Sequence, residues 1–323
     1  MSLRRPQVSV IAIDQAVNLC LSFLAVKQRP KIIGGTMKPA PFDYERPATL
    51  NAALSLLKDN DGRSKVIAGG QSLVPMMNFR VVRPDRLIDI NRIAELDYHR
   101  IEGTELVIGA LCRHNALKES KIVKQACPMM HAAYEWVAHG PVRNRGTLCG
   151  NLCHADPASE MPTVVLAANA VMVLRSSAAQ RDVPVGQFFV GQYETATADD
   201  EILVEVRIPV APTHEGWGFH EVNVRKGDFA IVAAAATLQK KDGKIQAVSI
   251  ALAGVGSHAM RLPKAEKALL GGNADNAVLR EAAAACAATV NPTSDIHGSA
   301  EYRRDLAKTL IYRALRDARD RCI

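Results

Sequence analysis

Between Arg143 and Glu160 the chain reads RNRGTLCGNLCHADPASE, with two cysteines, a histidine, two acids and two glycines inside eighteen residues. Metal ligation, thiol nucleophilicity and a backbone cradle for an anion all draw on such a set. Zinc sites take Cys or His pairs two to four residues apart and need a second pair elsewhere. Cys149 and Cys153 are spaced CxxxC, but His131 and His139 lie eight apart and no second pair of suitable spacing exists. A nucleophilic thiol needs a histidine base within reach, and adjacent residues such as Cys153 and His154 tend to point apart. A cradle asks less: Gly146 and Gly150 allow close approach to the main chain, while Thr147 and Asn151 offer side-chain donors to phosphate or polyol oxygens.

About 80 residues earlier, AGGQSL (Ala68 to Leu73) repeats this logic after the strand-like KVIAGG. Two successive glycines let N–H groups converge into a nest for a diphosphate. The motif is neither GxGxxG nor GxxxxGK[ST], and an ordinary turn is the alternative. Together the two loops suit a dinucleotide held by two segments; two unrelated surface turns would leave the same trace. In DPASEMP, Asp156 reads as a helix N-cap, Pro157 as the first helical residue and Glu160 as a first-turn acid. The competing reading has Glu160 accept a hydrogen bond from a sugar or ribityl hydroxyl.

The elements that must position these loops are mixed. Thr49 can cap a helix that puts Leu50, Ala53, Leu54 and Leu57 on one face. RLIDI (Arg86 to Ile90), ELVIGA (Glu105 to Ala110), AVMVLR (Ala170 to Arg175) and the alternating EILVEVRIPV (Glu201 to Val210) read as strands. A single helical tract is expected from Ile122 to about Ala138. APTHEGWG marks a boundary. Strands near Phe219 to Val224, Ile231 to Leu238 and Ile245 to Ala251 follow, then helices near Pro263 to Leu270, Asn276 to Ala288 and Ser299 to Arg319. Strands before helices predict a separate α+β unit with its sheet covered on one face.

A chain of 323 residues has room for two domains, and 48% hydrophobic with 23% charged residues is a globular composition. Aromatic content of 5% and scattered basic residues disfavour nucleic acid, although the net charge of +7 suits a phosphate-bearing ligand. Seven scattered cysteines without a CxxC fit reduced thiols in the cytoplasm and supply no metal signature. The apolar tract Val8 to Val26 is interrupted by Asp14, Gln15 and Asn18, so neither export nor membrane insertion is expected.

AGGQSL, RNRGTLCGN, DPASE, FFVGQYETATADDEILVEVRIP, RKGDFAIV, ALAGVG and YRRDLAKTLIYRAL occur in an order that resembles the FAD-binding medium subunits of molybdenum hydroxylases, such as carbon monoxide and xanthine dehydrogenases. The resemblance runs from Met37 to about Arg319. It implies an α+β fold: a PCMH-type, two-subdomain FAD-binding domain over residues 37–212, then a C-terminal α+β domain over 213–323 with a sheet covered by helices. Residues 1–36 fall outside the pattern and are expected to be an extension or an upstream start. By resemblance, Val66, Ile67, Ala68, Gly69, Gly70, Gln71, Ser72 and Leu73, with Thr147, Cys149, Gly150 and Asn151, wrap the FAD diphosphate. Glu160 binds the ribityl or adenosine part, Tyr193 neighbours the isoalloxazine ring, Leu203 packs near the flavin, and His220 stands where eukaryotic relatives have Lys.

The implied role is electron transfer: FAD collects electrons from a two-iron iron–sulfur small subunit, which a molybdenum-cofactor large subunit supplies, and passes them to an external acceptor. The implied assembly is a dimer of heterotrimers, and no catalytic residue or metal site is assigned to this chain. Cys149 departs from the family's TxGGN, and a positive φ there would perturb cofactor binding. A stand-alone PCMH-type flavin oxidoreductase, or a cofactor-free interaction protein, are the alternatives.

Overall fold

The computed structural model describes residues 37–59 and 62–322; the expected N-terminal extension and the tract Val8 to Val26 lie outside the described residues. Strands β1 (Asp43–Glu45), β2 (Ser64–Ile67) and β3 (Arg86–Asp89) form a parallel sheet in the order β1-β3-β2. Parallel neighbours need crossovers, and helix α1 (Leu50–Lys58) and helix α2 (Leu73–Asn78) supply helical ones. Thr49 caps α1 by accepting from the Ala52 N–H at 3.2 Å, and Leu50, Ala53, Leu54 and Leu57 are buried as their spacing requires.

The second sheet is antiparallel. It holds β4 (His99–Glu102), β5 (Glu105–Gly109), β6 (Val171–Arg175) and β7 (Gln180–Pro184). The hairpin of β8 (Phe189–Gly191) and β9 (Glu194–Thr195) intervenes before β10 (Ile202–Pro209), which inserts centrally to give β4-β5-β10-β6-β7. Val206 there stands opposite Ile108 on one side and Met172 on the other, all buried.

Between β5 and β6 the chain makes a helical excursion. The single helix expected from Ile122 to Ala138 is instead broken into Lys121–Ala126 and Pro128–Ala133. Pro128 disfavours helical backbone at the preceding residue, and Cys127 accordingly sits at φ −142 and ψ 76. Helices α3 (Leu148–His154) and α4 (Glu160–Ala167) complete the excursion, and every residue of α4 is buried.

The third sheet is β11 (Glu215–Val222), β12 (Val232–Lys241), β13 (Lys244–Ala253) and β14 (Met260–Arg261), antiparallel in that order. Both of its faces are covered, not one. Period-two alternation divides β12: Ala233 and Ala235 join the core of the first 200 or so residues, whereas Ala234, Ala236 and Leu238 join a second core. The second core lies under α5 (Pro263–Leu269), α6 (Asn276–Thr289) and α7 (Ala300–Arg321). The first face receives α4, which packs on β12 and β13. The GWG of the expected boundary segment lies inside β11, where its glycines admit α7: a Cβ at Gly216 or Gly218 would sit 1.7 or 2.2 Å from the carbonyls of Ala318 or Ala314.

Candidate functional site

The two glycine loops meet. A Cβ on Gly69 would fall 2.4 Å from the Arg145 carbonyl and 2.6 Å from the Gly146 Cα, so only glycine permits this approach. Gly70 has φ +72, and Gln71 Nε2 braces the turn on the Gly69 carbonyl at 3.0 Å. Val66 and Ile67 end β2, Ala68 follows, and Ser72 leads into Leu73 at the start of α2. Among the described residues, the N–H groups of Gly69, Gly70, Gln71 and Ser72 donate to no backbone carbonyl. Successive backbone donors left without a carbonyl partner at a glycine turn can form an anion-binding concavity, so the chain fits a diphosphate here.

Two residues that sequence reasoning missed clasp the loops together. Asn91 Nδ2 donates to the Ala68 carbonyl at 2.7 Å and to Asp89 Oδ1 at 2.6 Å. Arg113 Nη1 donates to the Arg145 carbonyl at 2.8 Å, and its Nη2 to Asn91 Oδ1 at 2.5 Å. A continuous path therefore runs from one loop through Asn91 and Arg113 to the other. Burial holds the Arg113 guanidinium below the ordinary arginine range, and Arg145 adds to this against the opposing pull of Asp97. An anion beside it would relieve that cost.

The segment read as a second loop is the start of a helix. Thr147 is the N-cap of α3, accepting from the Gly150 N–H at 3.0 Å, so its hydroxyl holds the backbone turn. A Cβ on Gly150 would lie 2.8 Å from that hydroxyl. Cys149 is helical, without positive φ, and 2% exposed; the strain anticipated there is absent. Burial pushes its thiol well above the ordinary range, which leaves it inert. Cys153, one turn on, is exposed, and charge on it would add to the cost of ionising Cys149.

Asp156 does not cap a helix. It closes a turn by accepting from the Ala158 N–H at 2.9 Å, and α4 begins only after Ser159. The turn lets Asp156 face two rings: Tyr193 Oη donates to its Oδ2 at 3.3 Å, and His154 Nε2 stands 3.8 Å away. The rings of His154 and Tyr193 are 5.0 Å apart, and Tyr193 has φ +56. Burial holds His154 below the ordinary histidine value, with Asp156 opposing.

Asn151 and Ser159 exchange hydrogen bonds at 2.9 and 3.1 Å, tying α3 to the start of α4. Glu160 follows, 4% exposed, with its carboxyl pushed up to about 7 by burial and secondarily by Asp156. His220 is not brought to this cluster: its side chain bonds Asp317 of α7 at 2.9 Å, on the far face of the third sheet. Its neighbour Glu221 occupies the near face. Leu203 is 3% exposed in β10 opposite Leu174.

A family model described as the FAD binding domain in molybdopterin dehydrogenase matches residues 40–211, and one described as the CO dehydrogenase flavoprotein C-terminal domain matches 217–318. The chain is 39% identical over 283 residues to the 6-hydroxypseudooxynicotine dehydrogenase complex subunit alpha of Paenarthrobacter nicotinovorans, covering 87% of this chain and 96% of that one. It is 36% identical over 286 residues to the carbon monoxide dehydrogenase medium chain of Hydrogenophaga pseudoflava, covering 88% and 100%. A solved structure of carbon monoxide dehydrogenase from Hydrogenophaga pseudoflava superimposes with a TM-score of 0.86 at 37% identity, covering 88% of this chain and 99% of that chain.

Proposed function

Since the chain belongs to the family of FAD-binding medium subunits of molybdenum hydroxylases, we propose that it is the FAD-carrying electron-transfer subunit of such an oxidoreductase. It takes electrons from an iron–sulfur partner chain and delivers them to an external acceptor. The observation that carries this reading is the contact of the Gly69–Ser72 turn with Arg145 and Gly146, with N–H groups that donate to no backbone carbonyl and the Asn91–Arg113 clasp.

When bound, FAD supplies the exchange between two-electron and one-electron carriers. The chain's own work is to bind and orient. The N–H groups of Gly69, Gly70, Gln71 and Ser72 would hold the diphosphate, and Arg113 would add positive charge nearby. The rings of Tyr193 and His154, held beside Asp156, would wall the flavin end of the site. The domain division we propose is 37–212 and 213–323, and the assembly we propose is a cytoplasmic dimer of heterotrimers with a molybdenum-cofactor large subunit and a two-iron small subunit. Relatives of similar identity carry the names of dehydrogenases for different compounds, which supports placing substrate choice in another chain. Among the described residues no helix is long and apolar enough to cross a membrane.

The test is to co-express the chain with its candidate partner chains and measure flavin content and flavin reduction on adding substrate. One FAD per chain, reduced only with both partners present, is expected. Arg113→Met should lower FAD retention about tenfold, as for loss of a charged hydrogen bond. Colourless protein would refute the cofactor reading, and full turnover by the chain alone would favour a stand-alone flavin oxidoreductase.

A further inference from the structure

Two rungs of the β11–β12 ladder pair Glu215 with Gln239 and Trp217 with Thr237. Alternation turns all four toward the first face of the third sheet. There they form one wall of a cleft of about 220 Å³, which no residue of the cofactor loops lines. The facing walls come from the unit before Pro212: Met129 of the helix Pro128–Ala133, Ala167 at the end of α4, and Val210 of the connecting segment. Hydrogen bonds fix that segment. The Val210 N–H donates to the Thr104 carbonyl at 2.9 Å, the Ala211 N–H to the Ala126 carbonyl at 2.8 Å, and the Glu215 N–H to the Pro212 carbonyl at 2.9 Å. Pro209 and Pro212 stiffen it further. Trp217 is held as well: the Arg321 guanidinium lies 4.1 Å from its ring centre and donates to its carbonyl at 2.6 Å. The cleft is therefore formed in advance of any ligand.

Its polarity is one-sided. Glu215 Oε2 accepts from Gln239 Nε2 at 2.9 Å, but among the described residues Oε1 has no hydrogen-bond partner and the carboxyl group no ion pair. Burial raises this carboxyl above its ordinary value, with Gln239 and His214 opposing, so its negative charge carries a cost that a cation would offset. A metal ion is the wrong cation: among the described residues no group of three or more His, Cys, Asp or Glu could hold one. Met129, Ala167, Val210 and Trp217 offer hydrocarbon instead. An apolar cavity of about 150 Å³ takes a benzene ring, so this cleft has room for a ring or short chain with a charged head.

We propose that the cleft is a binding site for a small organic cation, a protonated primary amine whose ammonium group bonds Glu215 and whose hydrocarbon part lies against Val210 and Trp217. An ammonium group has three donors and no acceptor, which suits Glu215 Oε1 and the Thr237 hydroxyl on the adjacent rung. Because its walls come from both sides of Pro212, a bound amine braces the two units against each other. The site does not depend on the cofactor reading.

The full chain carrying Trp136→Phe, in which Trp217 is the only tryptophan, is titrated with benzylamine at neutral pH while Trp217 emission is followed. A saturable change with a Kd of roughly a millimolar is expected for so small a ligand, together with a melting temperature that rises with benzylamine concentration. Benzyl alcohol, of the same size without the charge, is expected to bind about tenfold more weakly, the effect of losing one charged hydrogen bond. Glu215→Gln, which keeps the shape of the wall, is expected to weaken benzylamine binding by a similar factor, about tenfold. Calorimetry on the chain with both tryptophans reads the same affinities where Trp136→Phe fails to fold. The absence of saturable binding overturns the proposal, as does equal affinity of wild type and Glu215→Gln, or of benzylamine and benzyl alcohol.

Discussion

Cys149 shows how one side chain changes meaning once its surroundings are known. It stands in a glycine-rich motif, yet its backbone is helical and its thiol is packed in the core. Glycine there removes a packed side chain and loosens a helix interior. Cys149→Gly is therefore expected to cost about 1 kcal/mol or more, read as a lower melting temperature, while the FAD-to-protein ratio stays unchanged. A rise in FAD content with undiminished stability would show that the thiol obstructs the cofactor. Asn91 and Arg113 make the converse case. Their bonds to the two loops and to each other span 22 to 32 positions, so no local motif announces the clasp.

Between elements, close approach decides which glycines matter. Gly69 lets the turn after β2 touch the turn before α3, with no room for one more carbon. Gly69→Ala must push the loops apart or bend the chain, and overpacking of this kind costs about 1–3 kcal/mol. FAD retention should drop more than stability does. Gly186, with open space around its Cβ position, supplies the control: Gly186→Ala should leave both unchanged. Flavin content and melting curves measured side by side distinguish the cases. The same reasoning explains the GWG of β11, whose glycines were read as a boundary signal because a tight helix–strand contact and a loop both favour glycine.

At the scale of the whole molecule, Arg303 braces the strand ends that lie beside the α3–α4 turn. Its Nη1 donates to the Ile231 carbonyl at 2.5 Å and the Gly254 carbonyl at 3.1 Å, and its Nη2 meets Asp295 at 2.6 Å. Gly254 in turn bonds Pro157, beside the Asp156 turn that faces Tyr193. Arg303→Met is expected to destabilise the protein by about 1.5–3 kcal/mol and to weaken FAD retention from a distance, measured by denaturant unfolding and flavin content. Destabilisation without FAD loss would mean that the Gly254–Pro157 contact and the cradle are energetically separate.

Read alone, the sequence determined what depends on neighbours along the chain. The Thr49 cap, the buried face of α1, the strands β5, β6, β10, β12 and β13 and the three C-terminal helices all follow from periodicity and capping, which act over a few residues, whereas the edge strands β4, β7 and β14 carried no such signal. The glycine pairs were legible because backbone freedom is a property of the residue itself. The tertiary structure alone decided which face each strand turns to which partner. Alternation says that His220 and Glu221 point to opposite sides, but only the packing around β11 sends His220 to Asp317 and buries Glu221. It also decided that the alanines of β12 serve two cores at once, and that Asn91 and Arg113 join two loops. These are contacts between distant positions, set by the packing of whole elements, and no short stretch of sequence encodes them.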